Sequence, residues 1–266
     1  MALKWGPALA AVIATTSVLT VARSSQVNLQ EMVQKIVAFH RNWGDKMSTP
    51  GASIVAVEDN AKKLKSDSSA KSESFLIKTI GLPKDKIYQL AIVTPPNFQP
   101  LVQISGIGLN SEGIAVCPGK PDTCSSEDGP DDPIDLRIPA AKGQVFHFAL
   151  VSADGSFKAM FTIIPSPIRA ADRGCQLELQ RLMPKAELVY LVASGFKPET
   201  EIEFASDSGA EHQSRKTKID ASGKYESALM PAVQGKSRGT LNVKIASATC
   251  SPSASIDWGE GSDKPQ

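Results

Sequence analysis

The sequence has little of what catalytic and metal sites are built from. Its 266 residues include three histidines, four cysteines and an aromatic fraction of only 6%. The 29 lysines and arginines are balanced by 28 aspartates and glutamates, so the basic excess that nucleic-acid binding requires is absent. We therefore expect no nucleic-acid partner, and we interpret His40, His147 and His212 as packing or surface residues.

Catalytic and phosphate-binding motifs are also missing. Gly-x-Ser-x-Gly and His-Glu-x-x-His do not occur, and the one Ser-x-x-Lys match, at residues 68–71, falls in a Ser- and Lys-rich stretch. The glycines of "SGIGLNSEG" lie between two predicted strands, so no helix N-terminus follows to bind a phosphate. We predict that the protein is not an enzyme and has no catalytic residues.

The N-terminal segment predicts export. Lys4 is followed by an apolar run of small and β-branched residues up to Ala22, with small residues where a signal peptidase cuts. We predict a signal peptide over residues 1–22 and a periplasmic, extracellular or envelope-attached protein. The alternative is a retained anchor, for which this run is short, and membrane contact follows only in that case.

Export gives the four cysteines an oxidising environment in which disulfides persist. Six residues separate Cys117 from Cys124, which fits neither a Cys-x2-4-Cys zinc pair nor a Cys-x-x-Cys redox pair. We predict a local disulfide there, closing a Pro-containing loop. Cys175 and Cys250 bracket the C-terminal part of the chain and are predicted to form a second bridge, with cross-pairing between the two sets as the alternative.

Composition and hydrophobic pattern change along the chain. Residues 28–43 repeat apolar side chains at helical spacing and predict an amphipathic helix. Residues 58–74 are charged and Ser-rich, and we predict a flexible linker there, so that residues 23–74 form a short helix and a linker. From Phe75 onward, about fourteen short alternating runs between turn residues predict an all-β protein made of two sandwiches.

The two β-rich halves contain similar stretches. Residues 102–116 are similar to residues 190–204, and residues 152–161 are similar to residues 220–229. This similarity predicts a tandem repeat of one sandwich. By this alignment the first half carries about 21 extra residues, and they fall across the stretch that includes residues 117–133. Such an insertion is expected to be a surface loop, where function is often located.

Three motifs carry a resemblance to a known class of module: "ASGFKPETEIEF", "DASGKY" and the closing "SIDWG". They resemble the immunoglobulin-like β-sandwich modules of bacterial exported proteins, over roughly residues 75–259. The resemblance implies two tandem modules, at residues 75–168 and 169–259, followed by a flexible tail at residues 260–266. It implies no specific activity, because such modules serve binding, adhesion and scaffolding alike.

The insertion and the acidic residues after it form the candidate interaction surface. Its candidate binding residues are Cys117, Lys120, Asp122, Cys124, Asp128 and Asp131. Its carboxylates, which are weak candidates for calcium ligands, are Glu127, Asp128, Asp131, Asp132 and Asp135. An EF-hand pattern is absent, so a solvated acidic loop is the simpler interpretation, and we predict no cofactor other than calcium.

We expect an exported, non-catalytic binding or scaffolding protein whose partner is a protein or a glycan. Two alternatives stay open. One is a secreted hydrolase with a site between the sandwiches, which requires His147 or His212 to lie beside a carboxylate and a nucleophile. The other is a calcium-stabilised stalk or adhesion module. Trp258, which alternates with Ile256, is expected to seal the core edge of the second sandwich rather than to stack on a sugar.

Overall fold

The computed structural model describes residues 28–58, 73–119, 124 and 131–265. Within these residues the fold is mostly β, with one helix, α1 (residues 28–42), and sixteen strands in four antiparallel sheets. The predicted signal peptide and most of the predicted linker lie outside the described residues. The all-β prediction is confirmed.

The first half of the chain forms two sheets around one core. Its strands are β1 (Ser53–Glu58), β2 (Glu73–Ile80), β3 (Tyr88–Val93), β4 (Pro100–Leu109), β5 (Ala115–Val116), β6 (Asp135–Ile138), β7 (Phe146–Ser152) and β8 (Lys158–Ile163). One sheet has the order β1-β2-β6 and the other has the order β5-β4-β3-β7-β8. Inward side chains of both sheets, among them Ile77, Leu90 and Leu150, form a shared apolar core.

The second half also forms two sheets around one core. Its strands are β9 (Ile168–Asp172), β10 (Cys175–Arg181), β11 (Val189–Ser194), β12 (Glu201–Ser208), β13 (Glu211–Lys218), β14 (Tyr225–Leu229), β15 (Arg238–Ala246) and β16 (Ser253–Gly259). The sheet orders are β14-β11-β10-β9 and β13-β12-β15-β16. Strand β12, "EIEFASDS", alternates exposed and buried residues, as a strand with one face on a core must.

The two halves share one strand order. The run β1-β2-β6 corresponds to β10-β11-β14, and β4-β3-β7-β8 corresponds to β13-β12-β15-β16. The turns that leave β2 and β11 also agree. Gly81 and Gly195 both have positive φ, of 72° and 77°. A Cβ on Gly81 would lie 2.1 Å from the carbonyl oxygen of Gly51, and one on Gly195 would lie 2.3 Å from that of Gly174. Only glycine fits this turn in either half.

This strand order corrects the alignment of the two halves. Residues 102–116 span β4 and β5, which are neighbours in one sheet, whereas residues 190–204 span β11 and β12, which lie in different sheets. The alignment of these stretches was therefore wrong. The structure instead places "GLPKDK", residues 81–86, where the second half has "GFKPET", residues 195–200.

The position of the insertion nevertheless agrees with the prediction from sequence. In the second half, Glu226 and Ala228 pair with Val192 and Tyr190 of β11 and are two positions apart. At the equivalent points of β2, the paired residues are Ile114 and Asp135, which are 21 positions apart. The first half thus carries 19 additional residues, which interrupt one strand and leave its two pieces, around Ile114 and in β6, paired with β2.

The predicted linker is part of the first half rather than a spacer before it. Strands β1 and β2 flank it and pair antiparallel, with Glu58 opposite Phe75. Residues 58 and 73–74 are strand residues, so residues 59–72 connect two strands of one sheet. The sequence signal was misleading because β1 is short and two of its valines, Val55 and Val57, face solvent.

Helix α1 packs against both halves. Ile36 is fully buried and shares a cluster with Val145, on the approach to β7, and with Leu188 and Tyr190 of the second half. The halves also join through backbone: Arg181 donates its N–H to the oxygen of Gly143 at 2.7 Å, and Val145 donates to the oxygen of Arg181 at 3.1 Å. Helix α1 and these backbone contacts fix the two halves against each other, and we refer to them together as the joint.

The two predicted disulfides are confirmed. Cys117 bonds to Cys124, and Cys175 bonds to Cys250, so no cysteine is free. The second bridge closes 75 positions of chain inside the core of the second half, where both cysteines are buried. It acts as a structural crosslink on the unfolded state.

Candidate functional site

The disulfide Cys117–Cys124 lies against the outer edge of strand β4. Cys124 donates its backbone N–H to the oxygen of Gly106 at 3.4 Å, and Asp131 donates its N–H to the oxygen of Cys117 at 2.8 Å. Strand β5 pairs with only two residues of β4, Gly108 and Leu109. The base of the insertion therefore covers the C-terminal part of the β4 edge.

The predicted acidic residues have different environments. Asp135 lies in β6, where its carboxylate accepts hydrogen bonds from the Ser74 hydroxyl and, at 2.8 Å, from Nε of Arg137. Asp131 and Asp132 lie in the turn that precedes it. Four further candidates lie outside the described residues: Lys120, Asp122, Glu127 and Asp128. In the part of the chain that is described, no group of three or more acidic, histidine or cysteine side chains could hold a metal ion.

The N-terminal part of β4, residues 100–105, forms an open edge. It pairs with β3 on one side, and none of the described residues forms a strand on its other side. Leu101 is 65% exposed and Val102 is 48% exposed, although they point to opposite faces of the sheet. The carbonyl of Leu101 accepts from the side-chain amide of Gln103 at 3.1 Å, a local substitute for a neighbouring strand.

This edge carries no charge. No Asp, Glu, Lys or Arg occurs between Lys86 and Glu112, although 21% of the whole chain is charged. Natural proteins commonly protect an edge strand with charged side chains, since an unprotected edge pairs with other strands. The edge has a different protective feature, a β-bulge. The register against β3 shifts between Val102 and Ile104, which places the bulge at Gln103.

The equivalent edge of the second half is protected by charge. Strand β13 occupies the position of β4 there, and its residues 211–218 read "EHQSRKTK". All but one of them are exposed, and they present charges of both signs along the edge. Two strands at one position in the fold thus differ in the property that discourages strand addition.

We define the candidate site as the open edge of β4, residues 100–105, together with the disulfide Cys117–Cys124 at its end. Sequence reasoning predicted the disulfide and missed the edge. The uncharged run between Lys86 and Glu112 was the available signal. Its meaning depends on β4 lying at the end of a sheet, which is a property of the fold.

Two of the three histidines, His40 and His147, pack against each other. His147, on β7, is 1% exposed, and its Nε2 lies 3.0 Å from Nδ1 of His40 on α1. The rings of Phe39 and Trp43 surround it, at centroid distances of 4.9 and 5.5 Å. Its Nδ1 is buried and has no hydrogen-bond partner among the described residues.

Burial keeps this histidine pair neutral. Loss of solvation, and secondarily the proximity of His40, lowers the pKa of His147 to about 3. Loss of solvation also lowers the pKa of His40, against the opposing effects of Gln180 and Glu226. Next to the pair, Nε of Arg41 donates to the hydroxyl of Tyr190 at 2.6 Å. The cluster is a polar contact within the joint, and the hydrogen-bond partner of His147 among the described residues is His40, not a carboxylate.

The third histidine lies on the exposed edge of the second half. His212 contacts the carboxylate of Asp207 on the neighbouring strand. A shallow polar depression of about 330 Å³ lies beside it, lined by residues that include Asp207, Asn242, Lys244, Ser253 and Ser255. His212 thus has a carboxylate partner but no hydrogen-bonded nucleophile among the described residues, so it supplies half of the geometry that the hydrolase alternative requires.

Trp258 belongs to the core and not to a binding surface. It is 4% exposed, and its indole N–H donates to the hydroxyl of Ser208 at 3.0 Å. A Cβ on Gly239 would lie 2.7 Å from its ring, so the neighbouring strand approaches it closely. Stacking of Trp258 on a sugar is therefore ruled out.

No protein-family model matches the chain, and no curated protein matches it. Over the described residues, no helix combines the length and the apolar character needed to cross a membrane.

Proposed function

We propose that this is an exported, non-catalytic binding or scaffolding protein that takes up an extended partner segment at the open edge of β4. The observation that carries the proposal is an edge strand with exposed Leu101 and Val102 and no charge within residues 87–111. Pairing of an extended segment with such an edge satisfies the backbone groups of both strands and supplies affinity without a pocket.

The disulfides support the exported location. Both bridges are consistent with an oxidising compartment, and they agree with an N-terminal segment of the signal-peptide type. We propose that residues 1–22 are removed during export.

The strand order supports an immunoglobulin-like interpretation of both halves. In the first half β1, β2 and β6 form one sheet, in the second half β9, β10, β11 and β14 do, and each faces a sheet in which two hairpins lie side by side. This arrangement resembles the Greek-key connection of immunoglobulin-like sandwiches. We propose that the chain is a tandem pair of such modules, and that the insertion distinguishes the first module from the second.

The Cys117–Cys124 disulfide has a defined role in this proposal. It holds the base of the insertion against β4 at Gly106, and residues 100–105 are the part of the β4 edge that no described strand covers. A partner strand would therefore stop at the disulfide.

A selection experiment tests the proposal. A displayed library of random linear peptides is selected on the oxidised, signal-free protein, and enriched peptides are measured by fluorescence anisotropy. We expect sequences that alternate apolar and polar residues, with affinities that fall by about tenfold or more on Val102→Lys. Ser214→Lys, which places the same charge on the exposed edge strand β13, is the matched control and should leave binding unchanged.

Two results would refute the proposal. One is a selection that enriches no peptide above the background of an empty support. The other is a set of enriched peptides that bind the Val102→Lys variant as tightly as the unmodified protein. Thermal melts of both variants show that the substitutions leave the fold intact, which is expected because both side chains are solvent-facing.

A further inference from the structure

We infer that the extended segment that fits this edge is β4 of a second copy, so that the protein forms a two-fold dimer through β4. The inference rests on the proposed function, because it names the partner of the same site. A two-fold antiparallel pair joins the two five-stranded sheets into one continuous sheet across the interface.

The composition of the edge favours self-pairing. In a two-fold pair, residues 100–105 of one copy meet residues 100–105 of the other. Since this stretch is uncharged, no register brings like charges opposite each other. The same operation on β13 would bring Arg215, Lys216 and Lys218 close to their own copies in several registers, which opposes dimerisation there.

The chain as a whole does not oppose the approach of a second copy. The full sequence carries 29 basic and 28 acidic residues, and removal of residues 1–22 removes only Lys4 from this balance. Two copies therefore experience no net repulsion. Leu101 and Val102 lie on opposite faces of the strand, so pairing shields apolar surface on both faces of the joined sheet.

The bulge at Gln103 sets a limit on this interface. It interrupts the regular spacing of backbone donors and acceptors, so a partner strand meets two short stretches on either side of it. Such a contact buries less surface than a stable, obligate interface does. We expect a reversible dimer whose population rises with protein concentration.

Sedimentation velocity on the oxidised, signal-free chain tests the inference over a range of micromolar concentrations. The unmodified chain should shift from monomer to dimer as its concentration rises. Val102→Lys should raise the concentration needed for half-dimerisation by about tenfold or more, because two lysines then approach each other across the two-fold axis. Ser214→Lys should leave the transition unchanged.

A photo-crosslinking residue in place of Gln103 gives a second measurement on the same preparation. It should yield a covalent dimer whose linked peptide is residues 87–111 of the other copy, whereas the same residue in place of Ser214 should yield none. A chain that is monomeric at every concentration, a dimer insensitive to Val102→Lys, or a crosslink to another surface would overturn the inference. If the chain is monomeric but selected peptides still bind in a Val102-dependent manner, the dimer fails and the proposed function stands.

Discussion

Acid should loosen the joint between α1 and the two halves, because it contains a histidine pair that the fold keeps neutral. His147 is almost fully buried and shares one hydrogen bond with His40. Only one of the two facing nitrogens can carry a proton, so double protonation places N–H against N–H. The charged and titratable groups that surround the pair are Arg41, Glu178, Tyr190 and Glu226.

The direction of the pH effect follows from the sign of the pKa shift. The pKa of His147 falls from about 6.5 in the unfolded chain to about 3 in the fold. The fold therefore keeps its full stability above pH 6.5 and loses it as the pH falls toward 3, since only the unfolded state takes up the proton. At about 1.4 kcal/mol per pH unit, His147 alone removes about 2 kcal/mol between pH 6.5 and pH 5.

Urea unfolding at a series of pH values between 7.5 and 4.5 measures this effect. His147→Leu removes the titrating ring while keeping an apolar side chain in the joint, so its stability should change with pH by about 2 kcal/mol less over the same interval. Val145→Ala is the matched control. It truncates a buried residue of the same cluster, so we expect lower stability at every pH with the slope of the unmodified protein.

Equal slopes for the unmodified protein and His147→Leu would refute this account of the joint. A shallower slope in Val145→Ala would do so as well, because it would show that general loosening and not the histidine determines the pH dependence.

Three further predictions concern stability. Arg181→Ala should cost about 3 kcal/mol or more in a urea titration, because its guanidinium, 2% exposed, donates to four oxygens around the joint; a loss below 1 kcal/mol would show that these contacts are dispensable. Replacement of Cys175 and Cys250 by alanine should lower stability by about 2–4 kcal/mol, and replacement of Cys117 and Cys124 should cost less, because the shorter loop removes less entropy from the unfolded chain. If calcium stabilises the acidic insertion, EDTA should lower the melting temperature; an unchanged temperature would eliminate the calcium-stabilised stalk.

Local pattern was sufficient to locate most strands. Each of the fourteen runs identified by alternation and turn residues overlaps a strand of the structure. The two strands that escaped are β1 and β9, which are short and have partly exposed apolar or charged faces. The disulfides could be predicted because spacing and an even count exclude the other uses of cysteine. Short-range covalent and steric rules determine these features.

The repeat was harder to align because similar turns recur at non-equivalent places. The turn at residues 110–113 follows β4, and Asn110 accepts from the N–H groups of Glu112 and Ile114. Asp220 makes the same pair of contacts, with Ser222 and Lys224, after β13. The turn at residues 110–113 therefore corresponds to the turn that begins at Asp220. This correspondence becomes visible only from the strand pairing. The extra residues were located correctly because both alignments leave residues 117–133 unmatched.

Neither the joint nor the open edge could be read from local sequence, because both arise from contacts between distant parts of the chain. His40 and His147 are 107 positions apart, and the sequence near either residue does not predict their contact. The tail shows the same effect: Ser262 lies in the segment predicted to be flexible, yet its hydroxyl accepts from Arg181 at 3.0 Å.

These contacts distinguish two regions of the first half, a sheet face that α1 covers and an open edge at β4. Strand β7, through His147, and the connection from β3 to β4, through Phe98, contact α1, so that face is occupied within the chain. At the far end of the same sheet, the disulfide covers β4 only as far as Gly106. Residues 100–105 are thus one part of this sheet that the described chain leaves without a neighbouring strand. Their lack of charge matters for function because of this position, since the same residues inside a sheet would indicate only a core strand.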